Sequence, residues 1–590
     1  MPANRTRTEK QPAVAHWQSL PDACFYAFTL LLTLGLLAPT LCKPFRVNDD
    51  YRAHFFWLAQ LHRPDLFPHD FLTDYWRDFI PPGLVGIYWL LTSFMPGPLI
   101  SKLLGLAVVS AYLVGSWRLG RALFTVTLPR QLFAAWMAGN GILLRGMLGG
   151  LSRGFGPPLQ LWFLALLAEG QPWPALACVL LALVLHPVSF VLMGGTFGLW
   201  WIWEGCRKAR DVGLRRHLAL GAVGGVVGLA GFLSLSSHVA GSRTRYGPPL
   251  TSAQIAAAPE WGPGGRLGRD LPNGMVDEVI SEATARIQPK PFPALQLLFT
   301  GVVIAGIAGG LAVARRNNLP HWPVLAAYAA AGLAVYQLAC WELPCLYFPN
   351  RYLIGPIDVT VGVLVSLAGT SLWAAGSRPG GIRLRRALTL SVAGLVFVGG
   401  LAYRPPSAYG TDLRPFQPAA RWLREHTSKE SMFAAFPSND ADGLIVLAER
   451  PCLMTFECDQ PVYSGYTDET RRRLRLLFPA IYAFSPEEVR NLARETPARY
   501  LVIRRRDLVR GRSPRLYREP HNAEIRKWLA AHRRQPYYWT SNAAPKPVYS
   551  DPNFLIFDLS PFTGPPLASA PRPASAAFAR KWVNAEMGKW

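Results

Sequence analysis

The sequence predicts a polytopic α-helical membrane protein of about 11 transmembrane helices, followed by a small α/β domain outside the cytoplasm. Three observations carry this. Of 590 residues, 50% are hydrophobic and only 17% are charged, against about 25% charged in an ordinary soluble domain. The apolar residues are clumped into runs, and mean hydropathy is +0.16. After Tyr403 the runs stop and short strand-like and helix-like segments alternate. Together these exclude a disordered chain, a disulfide miniprotein and a fully soluble enzyme.

Residues 1–21 are basic and polar (Arg5, Arg7, Lys10) and read as a cytoplasmic segment. The run Asp22 to Cys42 is long enough to span about 30 Å of hydrocarbon and too long for a signal-peptide core, so it reads as an uncleaved anchor. It opens a transmembrane domain over 22–403. Further apolar runs lie near 81–95, 98–117, 123–143, 157–170, 173–186, 188–203, 217–237, 293–314, 321–341, 353–374 and 387–403. Two outer loops are expected, 43–80 and 238–292. The clusters Arg207–Arg216, Arg315-Arg316 and Arg378–Arg386 mark cytoplasmic loops, because inner loops are rich in Lys and Arg. The run 81–95 opens with Pro81-Pro82 and is short; dipping into the outer leaflet and returning, it keeps Arg118, Arg121 and Arg130 inside. The run 173–203 then splits at His186-Pro187 into two short spans. The N-terminus lies inside and everything after Tyr403 outside, in a cell inner membrane.

Residues 404–559 read as helix (Ala419–His426), strand (Met432–Phe436), helix (Gly443–Glu449), strand (Cys452–Phe456), helix (Asp468–Phe484), strand (Tyr500–Arg504), helix (Asn522–His532) and edge strand (Asn553–Leu559). Alternation of this kind predicts a mainly parallel sheet. Residues 560–590 are a Pro/Ala-rich flexible tail. Lys+Arg outnumber Asp+Glu by 61 to 37, but the basic residues flank apolar runs, which points to membrane topology and lipid headgroups rather than nucleic acid. The eight cysteines show no zinc spacing; Cys452 and Cys458 are either a disulfide or two buried thiols.

Candidate chemistry gathers at the outer face. In Arg46-Val-Asn-Asp-Asp-Tyr-Arg-Ala-His54, Asp49 and Asp50 follow the first span by about seven residues. Charge so close to hydrocarbon is usually functional, although Asp49 also suits a helix N-cap. The aromatic stripe of Tyr51–Leu61 suggests a helix lying along the interface. A second acidic group holds Asp65, Asp70, Asp74 and Asp78; Asp70 and Asp74, four apart, share a helical face. Arg153, in Gly150-Leu-Ser-Arg-Gly-Phe-Gly-Pro-Pro158, and Arg351, in Phe348-Pro-Asn-Arg-Tyr352, are arginines at outer span boundaries that can fork onto a phosphate. His186 breaks an apolar run at the same depth. Asp49 and Asp50 are the catalytic candidates, with Arg153, His186, Arg351, His54, Asp70 and Asp74 as substrate contacts. The spacings specify no metal site.

Asn48-Asp-Asp-Tyr-Arg-Ala-His-Phe-Phe-Trp57, Asp65-Leu-Phe-Pro-His-Asp70, Pro81-Pro-Gly83 and Trp422-Leu-Arg-Glu-His-Thr427, with the anchor and the outward domain, resemble an uncharacterised bacterial branch of the GT-C superfamily. These are integral-membrane glycosyltransferases that use polyprenyl-phosphate-linked sugars. The resemblance implies an inverting displacement onto an envelope glycan, lipid or protein acceptor. Asp49 would be the base, Asp50 its support or a ligand to a divalent ion, and Arg351 and Arg153 the holders of the departing lipid phosphate. The family's second acidic motif has no clean match, and no cofactor is required. Two other classes fit the architecture: a carrier or flippase for lipid-linked saccharides, and a non-catalytic relative whose outer domain binds glycan or protein.

Overall fold

The computed structural model describes residues 20–208, 214–268, 274–285, 304, 308–311, 321–343, 345–346, 348–375, 410–509 and 515–563. The expected span 387–403, most of 293–314, Arg315-Arg316, Arg378–Arg386 and nearly all of the 560–590 tail lie outside these residues.

Apolar runs become helices at Leu20–Leu41, Pro82–Thr92, Gly97–Leu123, Thr127–Gly139, Ser152–Ala168, Pro172–Leu185, Pro187–Lys208, Leu214–Tyr246, Trp322–Trp341 and Arg351–Ala375. Among the described residues four are long and apolar enough to cross a membrane: Gly97–Leu123, Arg215–Tyr246, Trp322–Trp341 and Arg351–Ala368. The helix Pro82–Thr92 rises only about 16 Å at 1.5 Å per residue, half a hydrocarbon core. Proline sets several boundaries. Pro187 starts a helix and excludes its predecessor from one, so His186 stands in extended backbone (φ −153, ψ 84) between two helices.

The C-terminal domain carries a four-stranded sheet in the order Met432–Ala435, Ala498–Arg504, Phe554–Asp558, Tyr549–Ser550. The first pair is parallel and the other two are antiparallel. The mainly parallel expectation is therefore corrected: the return through Pro520–Asn553 brings the last strands in as a hairpin, which antiparallel pairing permits with a short turn. For the same reason 554–558 is an inner strand and the two-residue Tyr549–Ser550 is the edge. Cys452–Phe456 makes only an isolated bridge, Cys452 to Phe433. Cys452 and Cys458 are buried free thiols; the Cys458 sulfur accepts from Trp76 Nε1 at 2.9 Å and contacts Thr455 Oγ1 at 2.7 Å.

The segment 43–80 is built into this domain. Arg46–Val47 pairs with Thr411–Asp412. Phe55, Phe56, Trp57, Leu72, Tyr75 and Trp76 share one core with Phe416, Leu444, Cys452 and Tyr466. Tyr75 stacks on Tyr466 at 3.8 Å and Phe71 at 5.0 Å. The expected interfacial helix over Tyr51–Leu61 is instead a short helix, Asp49–His54, and a 3-10 turn, Phe56–Leu61. Its aromatic stripe is spent on protein rather than on headgroups. Arg52 is fully buried and donates through Nη2 to Thr411 Oγ1 (2.9 Å) and Asn439 Oδ1 (2.8 Å).

Asp442, 2% exposed, faces that guanidinium and accepts from Phe456 N at 3.0 Å. Burial raises its carboxyl to about 6; Arg52 opposes the shift, and Asp49 and Asp440 add to it. Between about pH 4 and 6 the folded chain therefore holds a proton that the unfolded chain has released, and stability falls as pH rises through that window. The cost at pH 7 is on the order of 2–3 kcal/mol. Asp442→Asn keeps the acceptor for Phe456 and should raise the melting temperature at pH 7.5 while changing little at pH 4. Thermal scans of the full chain in detergent check this, and an equal shift at both pH values refutes it.

Candidate functional site

Asn48, not Asp49, caps the Asp49–His54 helix: its Oδ1 accepts from Tyr51 N at 3.1 Å. That leaves both aspartates in the first turn with distinct surroundings. Asp50 is half-buried and ion-paired to Arg153, which stands in the first turn of the Ser152–Ala168 helix. Asp49 is exposed; its Oδ1 accepts from Asp50 N at 3.1 Å, and among the described residues it has no cationic partner.

Arg153 opens onto a cavity of 1260 Å³ among the membrane helices, whose walls include Leu84, Leu161, Val179, Phe190 and Val227. His54, His186 and Arg351 line it too. Arg153 links them electrostatically: with Asp50 it acts on the His54 ring, and with Arg351 on that of His186. Thus Asp50, His54, Arg153, His186 and Arg351, from four separate stretches, gather at one place. Burial holds the His54 ring down to about 4, Asp50 opposing and Arg153 and Arg266 reinforcing, so it is neutral at physiological pH. It stacks on Trp76 at 4.0 Å, and its Nε2 is buried with no hydrogen-bond partner among the described residues. Arg351 opens its helix; its Nε is buried with no acceptor, and among the described residues it has no carboxylate partner. Cationic groups facing an apolar cavity suit an amphiphile with an anionic head.

Asp70 and Asp74 stand elsewhere. Asp70, 2% exposed, is the N-cap of Phe71–Phe79 and accepts from Thr73 N at 2.9 Å; burial pushes its carboxyl up. Asp74 pairs with Arg77 at 2.9 Å. Neither lines the cavity. Among the described residues no three His, Cys, Asp or Glu side chains cluster as metal ligands.

Sequence reasoning missed several lining residues. Asp358 is fully buried in the Arg351–Ala375 helix, beside Tyr112 and Tyr328; an ionisable residue inside an apolar run was the available signal. Gln160 and Tyr328 line the cavity and are joined in a hydrogen-bonded chain that continues to Ser189, and Arg243 and His238 line the cavity as well. Arg266, from the 238–292 loop, pairs with Glu457 and acts on His54. No sequence pattern announces that pairing across the chain.

No family model matches the chain, and no curated protein matches it. Solved structures are similar to it in fold. The Archaeoglobus fulgidus oligosaccharyltransferase, in complex with Zn and sulfate, superposes with a TM-score of 0.49 at 14% identity, over 81% of this chain and 68% of that one. ArnT from Cupriavidus metallidurans in the apo state gives 0.47 at 14% identity, over 94% and 100%. ArnT bound to undecaprenyl phosphate gives 0.42 at 13% identity, over 93% and 99%. At these identities and TM-scores the likeness assigns this chain neither a substrate nor a catalytic residue.

Proposed function

We propose that the chain is a membrane glycosyltransferase that moves a sugar from a polyprenyl-phosphate donor to an envelope glycan, lipid or protein acceptor on the extracytoplasmic face. One observation carries the reading: Arg153, ion-paired to Asp50, and Arg351 both face an apolar cavity of 1260 Å³. That volume exceeds the roughly 300–1,000 Å³ of ordinary small-molecule pockets and suits a phosphate head with the start of a lipid tail.

In this mechanism Asp49 accepts the proton of the acceptor hydroxyl, and the acceptor oxygen attacks the anomeric carbon. The bond from that carbon to the phosphate oxygen breaks, and the lipid phosphate leaves with the electron pair. Arg351 takes up the developing charge, since among the described residues its guanidinium has no carboxylate to satisfy it. Arg153 does so while Asp50 holds it in place, and Asp50 is the positioning partner rather than the base. Charge held by preorganised donors in a dry site is worth more than in water.

Purified protein in nanodiscs, given radiolabelled polyprenyl-phosphate sugars and an envelope extract, should transfer label. Asp49→Asn should reduce transfer at least about a hundredfold, the usual contribution of a general base. Transfer that survives in Asp49→Asn but is lost in Asp50→Asn would exchange the two roles. No transfer from any donor by folded wild type favours a carrier or a binding protein. A second measurement uses farnesyl phosphate as a probe of the head and first isoprenes. Arg351→Gln should weaken its binding about tenfold or more, as expected for a lost hydrogen bond to a charged group. Unchanged binding removes Arg351 from the phosphate site.

A further inference from the structure

A chain of neutral polar side chains crosses the cavity wall behind His186. Tyr328 Oη donates to Gln160 Oε1 at 2.6 Å, and Gln160 Nε2 donates to Ser189 Oγ at 2.7 Å. Ser189 Oγ meets His186 Nδ1 at 2.8 Å, and Ser189 N donates to the same nitrogen at 3.3 Å. Ser189 and Tyr328 are buried to within 1%, and Gln160 is 9% exposed. They come from three helices, 152–168, 187–208 and 322–341.

The bonding has one consistent direction. Ser189 N shares its proton between His186 O at 2.9 Å and His186 Nδ1 at 3.3 Å, so the closer partner of Nδ1, the Ser189 hydroxyl at 2.8 Å, decides its role. The Ser189 hydroxyl already receives the amide of Gln160, which leaves its own proton for Nδ1. A neutral imidazole with an accepting Nδ1 carries its proton on Nε2. Among the described residues no protein group bonds that Nε2, and the ring lines the cavity. Two helical glycines leave room for the chain. A Cβ on Gly156 would lie 2.8 Å from both His186 Nδ1 and Ser189 Oγ. Gly355 needs its bare backbone more, since Gln160 Oε1 would stand 2.2 Å from a Cβ there.

We propose that Tyr328, Gln160 and Ser189 are positioning residues that lock His186 as a neutral Nε2–H donor aimed at the phosphate between Arg153 and Arg351. This rests on the lipid-phosphate reading of the cavity and deepens it. The two arginines supply charge, and a donor fixed by three helices adds a third direction to the phosphate site. The donor keeps its proton throughout: it orients the phosphate oxygen and transfers nothing.

The test has two arms that fail separately. In the first, the full chain with ¹⁵N-labelled histidine in nanodiscs is examined by NMR at pH 7, with His186→Gln to assign the signal. The Nε2–H tautomer is expected in wild type, and both tautomers in Gln160→Leu, where the serine hydroxyl is released. An Nδ1–H tautomer or an imidazolium in wild type overturns the proposal whatever the ligand. In the second, farnesyl phosphate binding should fall about tenfold in His186→Gln and in Gln160→Leu, and no further in the double variant. Additive losses mean that Gln160 merely supports the fold and overturn the positioning role. Tyr328→Phe removes a single hydroxyl and is the milder variant should Gln160→Leu misfold; it should show the same non-additivity. Wild type with the expected tautomer that binds no farnesyl phosphate refutes the lipid-phosphate reading and, with it, the phosphate as the target of Nε2.

Discussion

Arg52 is fully buried, and one edge of its guanidinium is held by the C-terminal domain: Nη2 donates to Thr411 and Asn439, while Nε and Nη1 have no acceptor among the described residues. Much else follows from that. Arg52 lies two residues from Asp50, so fixing one fixes the turn that carries the other. On the membrane side Asp50 is drawn to Arg153 at the start of a transmembrane-domain helix. The same short helix is thus held from above and below, and the carboxylate pair is set at the junction between bundle and domain. A loop left to the bilayer surface would have no such fixed position.

The junction is rich in charge. Glu260, wholly buried, takes a two-pronged contact from Arg471 at 2.6 and 2.7 Å, and Arg245 and Tyr246 both reach Asp78. Pairs of this kind add little net stability, because desolvation consumes most of the attraction. Breaking one, however, strands a charge. Their value is in register: an apolar interface can slide, whereas a buried fork fits one alignment. Asp442 shows the cost directly, since it is held at this seam with burial outweighing the pull of Arg52.

How much was legible in the sequence varies with the range of the interaction. Helices came from runs of apolar residues and their prolines, which are local, and they lie close to where composition puts them. The convergence of Asp50, Arg153, His186 and Arg351 was readable because a topology argument assigns them one depth. Sheet order was not readable: strand 554–558 looks the same in sequence whether it closes an edge or fills a gap, and pairing is decided by a distant partner. Asp70 was misleading for a physical reason. An aspartate that caps a helix and one that binds substrate are chemically alike, and only burial against Thr73 separates them. Asp358 and Gln160 were overlooked because single polar residues hardly lower the hydropathy of a long run. Those same residues line the cavity.

The break at His186 ties these strands of the argument together. A helix that stops between apolar segments exposes carbonyls that hydrocarbon will not solvate, so protein must satisfy them. Here Ser189 N and Phe190 N donate to His186 O at 2.9 and 3.2 Å, and Ser152 Oγ donates to Leu185 O at 2.7 Å. Ser152 directly precedes Arg153. The residue that repairs the broken helix is therefore the neighbour of the one that faces the cavity, and the placement of Arg153 near His186 follows from a serine hydroxyl satisfying a backbone carbonyl. A Pro at 187 forces the break, the break demands a donor, and the donor brings the arginine with it. Two groups suited to one phosphate are placed together by the cost of leaving a carbonyl dry.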